Sequence, residues 1–424
     1  MTRPATLSGW LAYLETLHPK AIALGLDRVR EVHSRLDAAI GCPIVTVGGT
    51  NGKGSTCAML DAILHSAGLR SGLYASPHLL RYNERVRIGG AEAADDRLVA
   101  AFNAVEDVRN GVPLTYFEFG TLAALWLFAR ARLDALILEV GLGGRLDAVN
   151  IVDADVAVLT SIDIDHVDYL GPTREDIGRE KAGIFRAGRP AICADPHPPA
   201  SVVAAAQAVG AKLLLLGRDY GYVDERTQWR YRGPRGERFG LPVPALRGAY
   251  QLPNAATALA CLDTLRDALP VNAQAVREGL LAVSLPGRFQ VLPGRPTVVL
   301  DVAHNPHAAR ALAAAMGSMG YHPETFAVCA MLADKDAAGV IGALRPLVTR
   351  WFVSGLPGAR GDDGERVRNA LAAAGVASSS VRTFTDVEGA YRAARETALE
   401  ADRIVVFGSF LTVAAALSAD ALMH

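Results

Sequence analysis

Short apolar runs rich in β-branched residues alternate along this chain with stretches of helical period. Residues 43–47, 135–140, 156–161, 190–194 and 212–216 read as strands, and residues 55–66, 174–185 and 199–208 as the helices between them. Strands that are apolar at consecutive positions are covered on both faces, so the alternation predicts a largely parallel sheet flanked by helices. Between residues 220 and 250 the pattern gives way to Arg, Gly, Pro and Tyr, which predicts hairpins or a loop excursion.

A second series follows two Pro-Gly-Arg triplets, at Pro286 and Pro293, which are turn signals. It comprises strand 297–301, helix 308–316, strand 325–331, helix 337–347 and strands 351–354 and 403–407. The expected fold class is therefore α/β with two domains. The first, residues 1–287, is a mostly parallel sheet domain, and the second, residues 288–424, is a smaller Rossmann-like α/β domain. There is no fixed-period repeat and no low-complexity tract.

Composition narrows the function. With 424 residues, 43 Lys plus Arg and 44 Asp plus Glu, the net charge is −1, so no global field attracts a nucleic acid or an anionic bilayer. The uncharged stretch 404–418 is shorter than the roughly 20 residues a spanning helix needs. The start, Met-Thr-Arg-Pro-Ala, has no basic-then-apolar leader, and a cytoplasmic location is expected. Cys42, Cys57, Cys193, Cys261 and Cys329 follow no C-x-x-C spacing, which predicts reduced core thiols and not disulfides or a thiolate zinc site. A self-sufficient two-domain plan suits a monomer.

The strongest chemical signal is Val47-Gly48-Gly49-Thr50-Asn51-Gly52-Lys53-Gly54-Ser55-Thr56, set between a strand and a helix. Glycines let consecutive N–H groups turn toward phosphate oxygens, and Lys53 neutralises β and γ charge. The pattern departs from G-x-x-x-x-G-K-[ST]: Val47 stands at the first glycine and Gly54 at the hydroxyl position. A dehydrogenase fingerprint is tested by Gly141-Leu142-Gly143-Gly144-Arg145-Leu146 and fails for want of its third glycine. Glu139, ending an apolar strand just before it, suits Mg²⁺.

The next strand ends in Thr160-Ser161-Ile162-Asp163-Ile164-Asp165-His166-Val167-Asp168, bringing acids and an imidazole to the same expected edge. His166 can ligate a metal or orient a carboxylate. Thr173 opens a helix with capping-box character, and that helix carries Glu180 and Lys181, the latter able to present charge to a transferring phosphoryl group. In the second domain Asp301 and His304 follow a strand, with Asp301 placed for a ribose hydroxyl or a metal-bound water. Arg288 is placed to act as a clamp over the phosphates on domain closure.

In this order the motifs resemble the Mur ligase superfamily, and most closely its folate branch of bifunctional dihydrofolate synthases and folylpolyglutamate synthases. The resemblance rests on Leu24-Gly25-Leu26-Asp27-Arg28-Val29, on the loop Gly49 through Ser55, and on Ser76-Pro77-His78-Leu79-Leu80-Arg81-Tyr82-Asn83-Glu84-Arg85-Val86. It continues through Thr115-Tyr116-Phe117-Glu118-Phe119-Gly120-Thr121, Glu139-Val140-Gly141-Leu142-Gly143-Gly144-Arg145-Leu146-Asp147, Asp165-His166 and Glu180-Lys181-Ala182-Gly183-Ile184-Phe185. Asn254-Ala255-Ala256-Thr257, Gly287-Arg288-Phe289 and Asp301-Val302-Ala303-His304-Asn305-Pro306 complete it. Gly54, odd for an ordinary phosphate loop, is what this branch looks like.

The resemblance implies an ATP-dependent ligase that adds L-glutamate to dihydropteroate and to the γ-carboxylate of reduced folates through an acyl phosphate. It implies that Thr50, Asn51, Gly52, Lys53, Gly54 and Ser55 hold the ATP phosphates, with Asn254, Arg288 and Asp301 completing the nucleotide site. Ser76, Glu139 and His166 would ligate Mg²⁺. Lys181 matches a lysine that becomes carbamylated, an anion helping to hold a second Mg²⁺, which reverses the cationic role read from its position alone. Ala23, Leu24, Gly25, Leu26, Thr115, Tyr116, Phe117, Glu118, Leu146, Asp147 and Ala148 match segments around the pterin, with Tyr116 and Phe117 as apolar surface. His304 and Ser409 fall where the incoming glutamate is expected. The nearest alternatives are a ligase acting on a UDP-sugar acid and a GTP-binding switch, the latter disfavoured because Ala333-Asp334-Lys335-Asp336 lacks the [NT]-K-x-D arrangement.

Overall fold

The computed structural model describes residues 3–20, 22–248, 250–358 and 360–422. The chain divides into two units. One runs up to Ala245 and resumes over Leu252–Val283; the other comprises Leu246–Gln251 and the chain from Ser284 onward. The break at Val283 and Ser284 falls four residues before the expected 287/288 boundary, and the short Leu246–Gln251 segment, expected in the first domain, belongs to the second unit.

In the first unit the strands are β1 (Ile44–Gly48), β2 (Ser71–Tyr74), β3 (Val86–Ile88), β4 (Ala91–Glu92), β5 (Ala135–Glu139), β6 (Val156–Leu159), β7 (Pro190–Cys193) and β8 (Lys212–Leu215). They form one sheet in the order β4-β3-β2-β5-β1-β6-β7-β8. From β2 to β8 every pairing is parallel, and β3 and β4 add an antiparallel edge. β1 and β5 are buried at every position, as their unbroken apolar runs require. From β1 the chain builds outward through β2 and β5 on one side and then through β6, β7 and β8 on the other. The crevice at the carboxyl ends of β1, β5 and β6 is therefore the switch point where such sheets hold ligands.

Several features escape the sequence pattern. β2 reads Ser-Gly-Leu-Tyr, too polar to stand out. Helix Tyr116–Ala129 buries ten of its fourteen residues and is apolar on all sides, so no amphipathic stripe marks it. Helix Asp95–Arg109 was likewise not expected; it buries Leu98, Ala101, Phe102 and Val105. The predicted excursion is a three-stranded antiparallel meander of β9 (Gly221–Asp224), β10 (Gln228–Gly233) and β11 (Gly236–Pro242). It turns Trp229 and Tyr231 inward, and the Tyr231 hydroxyl donates to buried Asp263 at 2.8 Å.

The second unit holds β12 (Gln290–Leu292), β13 (Thr297–Leu300), β14 (Thr325–Cys329), β15 (Arg350–Ser354), β16 (Val381–Phe384) and β17 (Arg403–Phe407), in the order β12-β13-β17-β14-β15-β16. All pairings but β12 with β13 are parallel. Helix Val387–Thr397 buries Val387, Ala390, Tyr391 and Ala394, one stripe at helical spacing.

The five cysteines are free thiols, four of them buried, and burial pushes the thiols of Cys57, Cys193, Cys261 and Cys329 upward, away from the reactive thiolate. Among the described residues no helix is long and apolar enough to cross a membrane.

Candidate active site

The glycine-rich loop leaves β1 at Gly48 and enters helix Lys53–Ser66. Two glycines there have no substitute. Gly49 has φ +140°, and a β-carbon on it would lie 1.8 Å from the Thr160 hydroxyl; Gly52 has φ +91°, and its β-carbon would lie 2.7 Å from Asn254 Oδ1. The loop is tied to the end of β6. Thr50 N donates to the Ser161 carbonyl at 2.6 Å, Asn51 N to Ser161 Oγ at 3.1 Å, and Asp163 N to Thr50 Oγ1 at 3.0 Å. Thr160 Oγ1 donates to the Asn51 carbonyl at 2.7 Å. Such a pre-shaped loop at a helix amino end is an anion cradle.

Two lysines converge on it. Lys53 Nζ donates to the carbonyls of Gly49 at 3.1 Å and Thr50 at 3.3 Å, and Lys181 Nζ donates to the Gly49 carbonyl at 2.9 Å. Lys181 is buried, and desolvation, assisted by the Lys53 charge, pushes its pKa down to about 7, against smaller upward pulls from Asp165 and Asp147. Its helix, Arg174–Ala182, is capped by Thr173, which accepts from Asp176 N as expected. The loop after β5 packs on the carboxyl end of that helix: Arg145 N donates to the Glu180 carbonyl at 2.9 Å, and the Arg145 guanidinium pairs with the Glu180 carboxylate at 2.8 Å. A β-carbon on Gly144 would lie 2.7 Å from the Lys181 carbonyl.

Glu139 pairs with Val47 across β5 and β1, is buried, and accepts from Ser76 N at 3.2 Å. His166 stands at φ +53°, rare without glycine, as the residue before a short helix; its backbone N–H donates to Asp165 Oδ1 at 2.9 Å. Thus Thr50, Asn51, Gly52, Lys53, Ser76, Glu139 and Lys181 gather at one sheet edge with Asn254 close over Gly52, and His166 sits on the β6 loop that holds Thr50. Arg174 fixes that loop by donating to the Ile162 carbonyl and to Asp195, both at 2.8 Å.

The segments expected around a pterin also meet. Thr115 and Glu118 form a capping box on helix Tyr116–Ala129. Glu118 is buried and already engaged: it accepts from Thr115 N at 2.8 Å and pairs with Arg28 at 2.9 Å, while Arg28 also donates to the Ala23 carbonyl at 2.8 Å. Its role here is to join residues 23–26 to residues 115–118. Phe117 covers Gly141, whose β-carbon would lie 2.8 Å from the ring, and its ring centroid lies 5.8 Å from that of Tyr74 in a tilted pair. Asp147 accepts from Leu142 N at 2.8 Å and Val149 N at 3.0 Å; burial raises its pKa to about 6 against the pull of those bonds.

Arg85 and His78 went unassigned in the sequence reading, although they lie in the Ser76 to Val86 block. The Arg85 guanidinium lies 5.4 Å from the Tyr82 ring centroid and 5.5 Å from that of Tyr116, and its Nε–H donates to His78 Nδ1 at 2.8 Å. The readable signal was an arginine just before the apolar-polar alternation Val86-Arg87-Ile88.

In the second unit the expected residues gather at the carboxyl ends of β13 and β17. Asp301 accepts from Phe289 N and Ala303 N, both at 2.8 Å, and burial raises its pKa against the Arg288 charge. The Arg288 guanidinium lies 5.0 Å from the Phe410 ring and the His304 ring 6.5 Å from it. Ser409 is buried and caps helix Phe410–Ala421, accepting from Thr412 N at 3.0 Å, so its hydroxyl is engaged in holding that helix start.

Residues 47–262 match the model of the Mur ligase middle domain, and residues 287–410 that of the Mur ligase glutamate ligase domain. A dihydrofolate synthase/folylpolyglutamate synthase of Escherichia coli strain K12 is 47% identical over 409 residues, 96% of this chain and 94% of that protein. A structure of E. coli FolC in complex with DHPP and ADP superposes with a TM-score of 0.93 at 46% identity, covering 99% of both chains. A bifunctional folylpolyglutamate synthase/dihydrofolate synthase with Mn, AMPPNP and L-glutamate bound gives 0.91 at 47% identity, over 99% of this chain and 98% of that one.

Proposed function

The chain belongs to the Mur ligase family, and from that premise we propose that it joins L-glutamate to dihydropteroate, giving dihydrofolate, and to the γ-carboxylate of reduced folates. It is an ATP-dependent, amide-forming ligase of folate biosynthesis. The observation that carries the reading is the convergence of Lys53 and Lys181 on the Gly49 carbonyl, one strand from Glu139.

The donor set fits Mg²⁺ and a triphosphate. Among the described residues no group of three or more His, Cys, Asp and Glu could hold a metal by itself. Glu139, a buried carboxylate on the strand beside the phosphate loop, offers the hard oxygen such a cation prefers, with phosphate and water to complete its shell. Ser76, Glu139 and His166 would hold it, and a carbamate on Lys181 would hold a second; the metal's contribution is to offset charge on the triphosphate. A lysine amine must be neutral to take up CO₂, and a pKa near 7 supplies that form at neutral pH.

The chemistry runs in two steps. The acid's carboxylate oxygen attacks the γ-phosphorus and ADP leaves, giving an acyl phosphate. The glutamate amine then attacks the acyl carbon, loses a proton and expels phosphate. Lys53 and the N–H groups at the amino end of its helix stabilise the transferring charge. Asn254, Arg288 and Asp301 are assigned to the nucleotide and His304 to the incoming glutamate, with Ser409 acting through the helix start it holds. Tyr116, Phe117 and the tied segments at Ala23, Leu24, Gly25 and Leu26 and at Leu146, Asp147 and Ala148 are assigned to the pterin. Residues 1–287 then serve ATP and pterin and residues 288–424 glutamate, in a cytoplasmic monomer whose partners are small molecules. Light scattering checks the monomer.

Lys53→Ala is the direct test. ADP release that needs both dihydropteroate and glutamate is expected to vanish in this variant with its circular dichroism unchanged; normal turnover would refute the assignment.

A further inference from the structure

The two acid substrates differ by a charge. Dihydropteroate offers only the carboxylate that reacts, whereas a folate offers the reacting γ-carboxylate and, a few bonds away, the α-carboxylate of the glutamate it already carries. If both acids meet the same Lys53 and Lys181, the folate complex holds one more anion close to the reacting group. A partly buried anion needs a cation of its own.

Most cations that the first unit brings to this edge are committed. Lys53 and Lys181 donate into the phosphate loop. Arg28 pairs with Glu118, Arg145 with Glu180 and Arg174 with Asp195. Arg85 differs. Its Nε–H goes to His78 and aromatic rings lie near its charge, but among the described residues no carboxylate pairs with it. The neighbouring Glu84 carboxylate is engaged by the backbone N–H groups of Leu79, Leu80 and Arg81, each at 2.7 Å.

Its place is also suitable. The Arg85 carbonyl accepts from Ala75 N at 2.9 Å, so Arg85 lies beside Ser76. It immediately precedes β3, which neighbours β2, which neighbours β5, so Arg85 stands two strand spacings, roughly 10 Å, along the edge from Glu139. Tyr82 and Tyr116 fix the guanidinium, so little side-chain freedom is lost when an anion docks.

We propose that Arg85 binds the α-carboxylate of the terminal glutamate on a folate substrate, and so is a specificity-determining residue for extension of folates over first glutamylation of dihydropteroate. The proposal rests on the activity read above. The test is a calorimetric comparison of tetrahydrofolate and dihydropteroate binding to full-length wild type and Arg85→Gln, with a non-hydrolysable ATP analogue present, followed by KM and kcat for each acid. One charge-assisted pair corresponds to at least about a tenfold weakening of tetrahydrofolate binding, with a matching rise in its KM. Dihydropteroate binding is expected to change less than about twofold on the same scale, and Arg85→Lys to recover part of the loss. Equal losses with both acids would show a merely structural role and overturn the proposal, as would unaltered tetrahydrofolate binding. Should Arg85→Gln fail to fold, the same comparison on Arg85→Lys decides, with a selective loss expected and an equal or absent loss contradictory. Wild type that binds both acids but converts neither would refute the activity and leave the binding comparison intact.

Discussion

Lys181 owes its chemistry to burial. An exposed lysine is charged at neutral pH, but with no carboxylate close enough to offset desolvation and with Lys53 sharing its acceptor, the amine is substantially neutral near pH 7. ¹³C-bicarbonate is therefore expected to give a carbamate resonance in the wild type that Lys181→Ala lacks; spectra without that difference would remove the modified lysine from the site. Asp147 shows the opposite sign. Its carboxyl rises from 3.8 to about 6, so between those values the folded chain holds more protons than the unfolded one. Stability then falls as pH rises through that window, by roughly 2–3 kcal/mol in total. Urea unfolding of Asp147→Asn should lack this part of the slope. Neither shift is visible in sequence, because both come from what surrounds the residue. Lys181 reads from its position as a cation facing a transferring phosphoryl group, and only its resemblance to a carbamylated position gives it the opposite role.

At the scale of elements, legibility followed the strength of the local signal. β1, β5, β6, β7 and β8 were placed to within two residues: the inner strands because burial on both faces keeps them largely apolar, and the partly buried edge strand β8 from its Leu run. β2 and β3 were missed, since their stability comes from partners and not from their own composition, and with them went Arg85. Helix Tyr116–Ala129 was missed as a helix although Thr115 and Glu118 stand three residues apart, the spacing of a capping box. Removing that cap with Thr115→Ala is expected to cost about 1 kcal/mol in thermal or urea unfolding. The phosphate loop was legible from its glycines and Lys53 set between a strand and a helix, but what holds it was not: the bonds from Thr160, Ser161 and Asp163 join positions more than a hundred residues apart. Gly49→Ala would drive a β-carbon into Thr160 at a φ that disfavours it. Roughly 2–4 kcal/mol of stability should be lost, together with binding of a fluorescent ATP analogue. Tight nucleotide binding by that variant would contradict the role given to the loop.

For the molecule as a whole, order mattered more than any single motif. Two α/β units, each gathering polar side chains at the carboxyl ends of its parallel strands, were expected from the alternation of runs, and the near-zero net charge left recognition to local sites. The Pro-Gly-Arg turns mark bends in the chain, while the division at Val283 and Ser284 follows which residues pack together, so the two differ by four residues. The central claim is that the acid is activated as an acyl phosphate before the amine attacks. The most direct measurement follows oxygen from dihydropteroate labelled with ¹⁸O in its carboxylate, incubated with the protein, ATP, Mg²⁺ and glutamate. The expected result is one ¹⁸O in each inorganic phosphate formed, in step with dihydrofolate; phosphate carrying no label while dihydrofolate accumulates would contradict it.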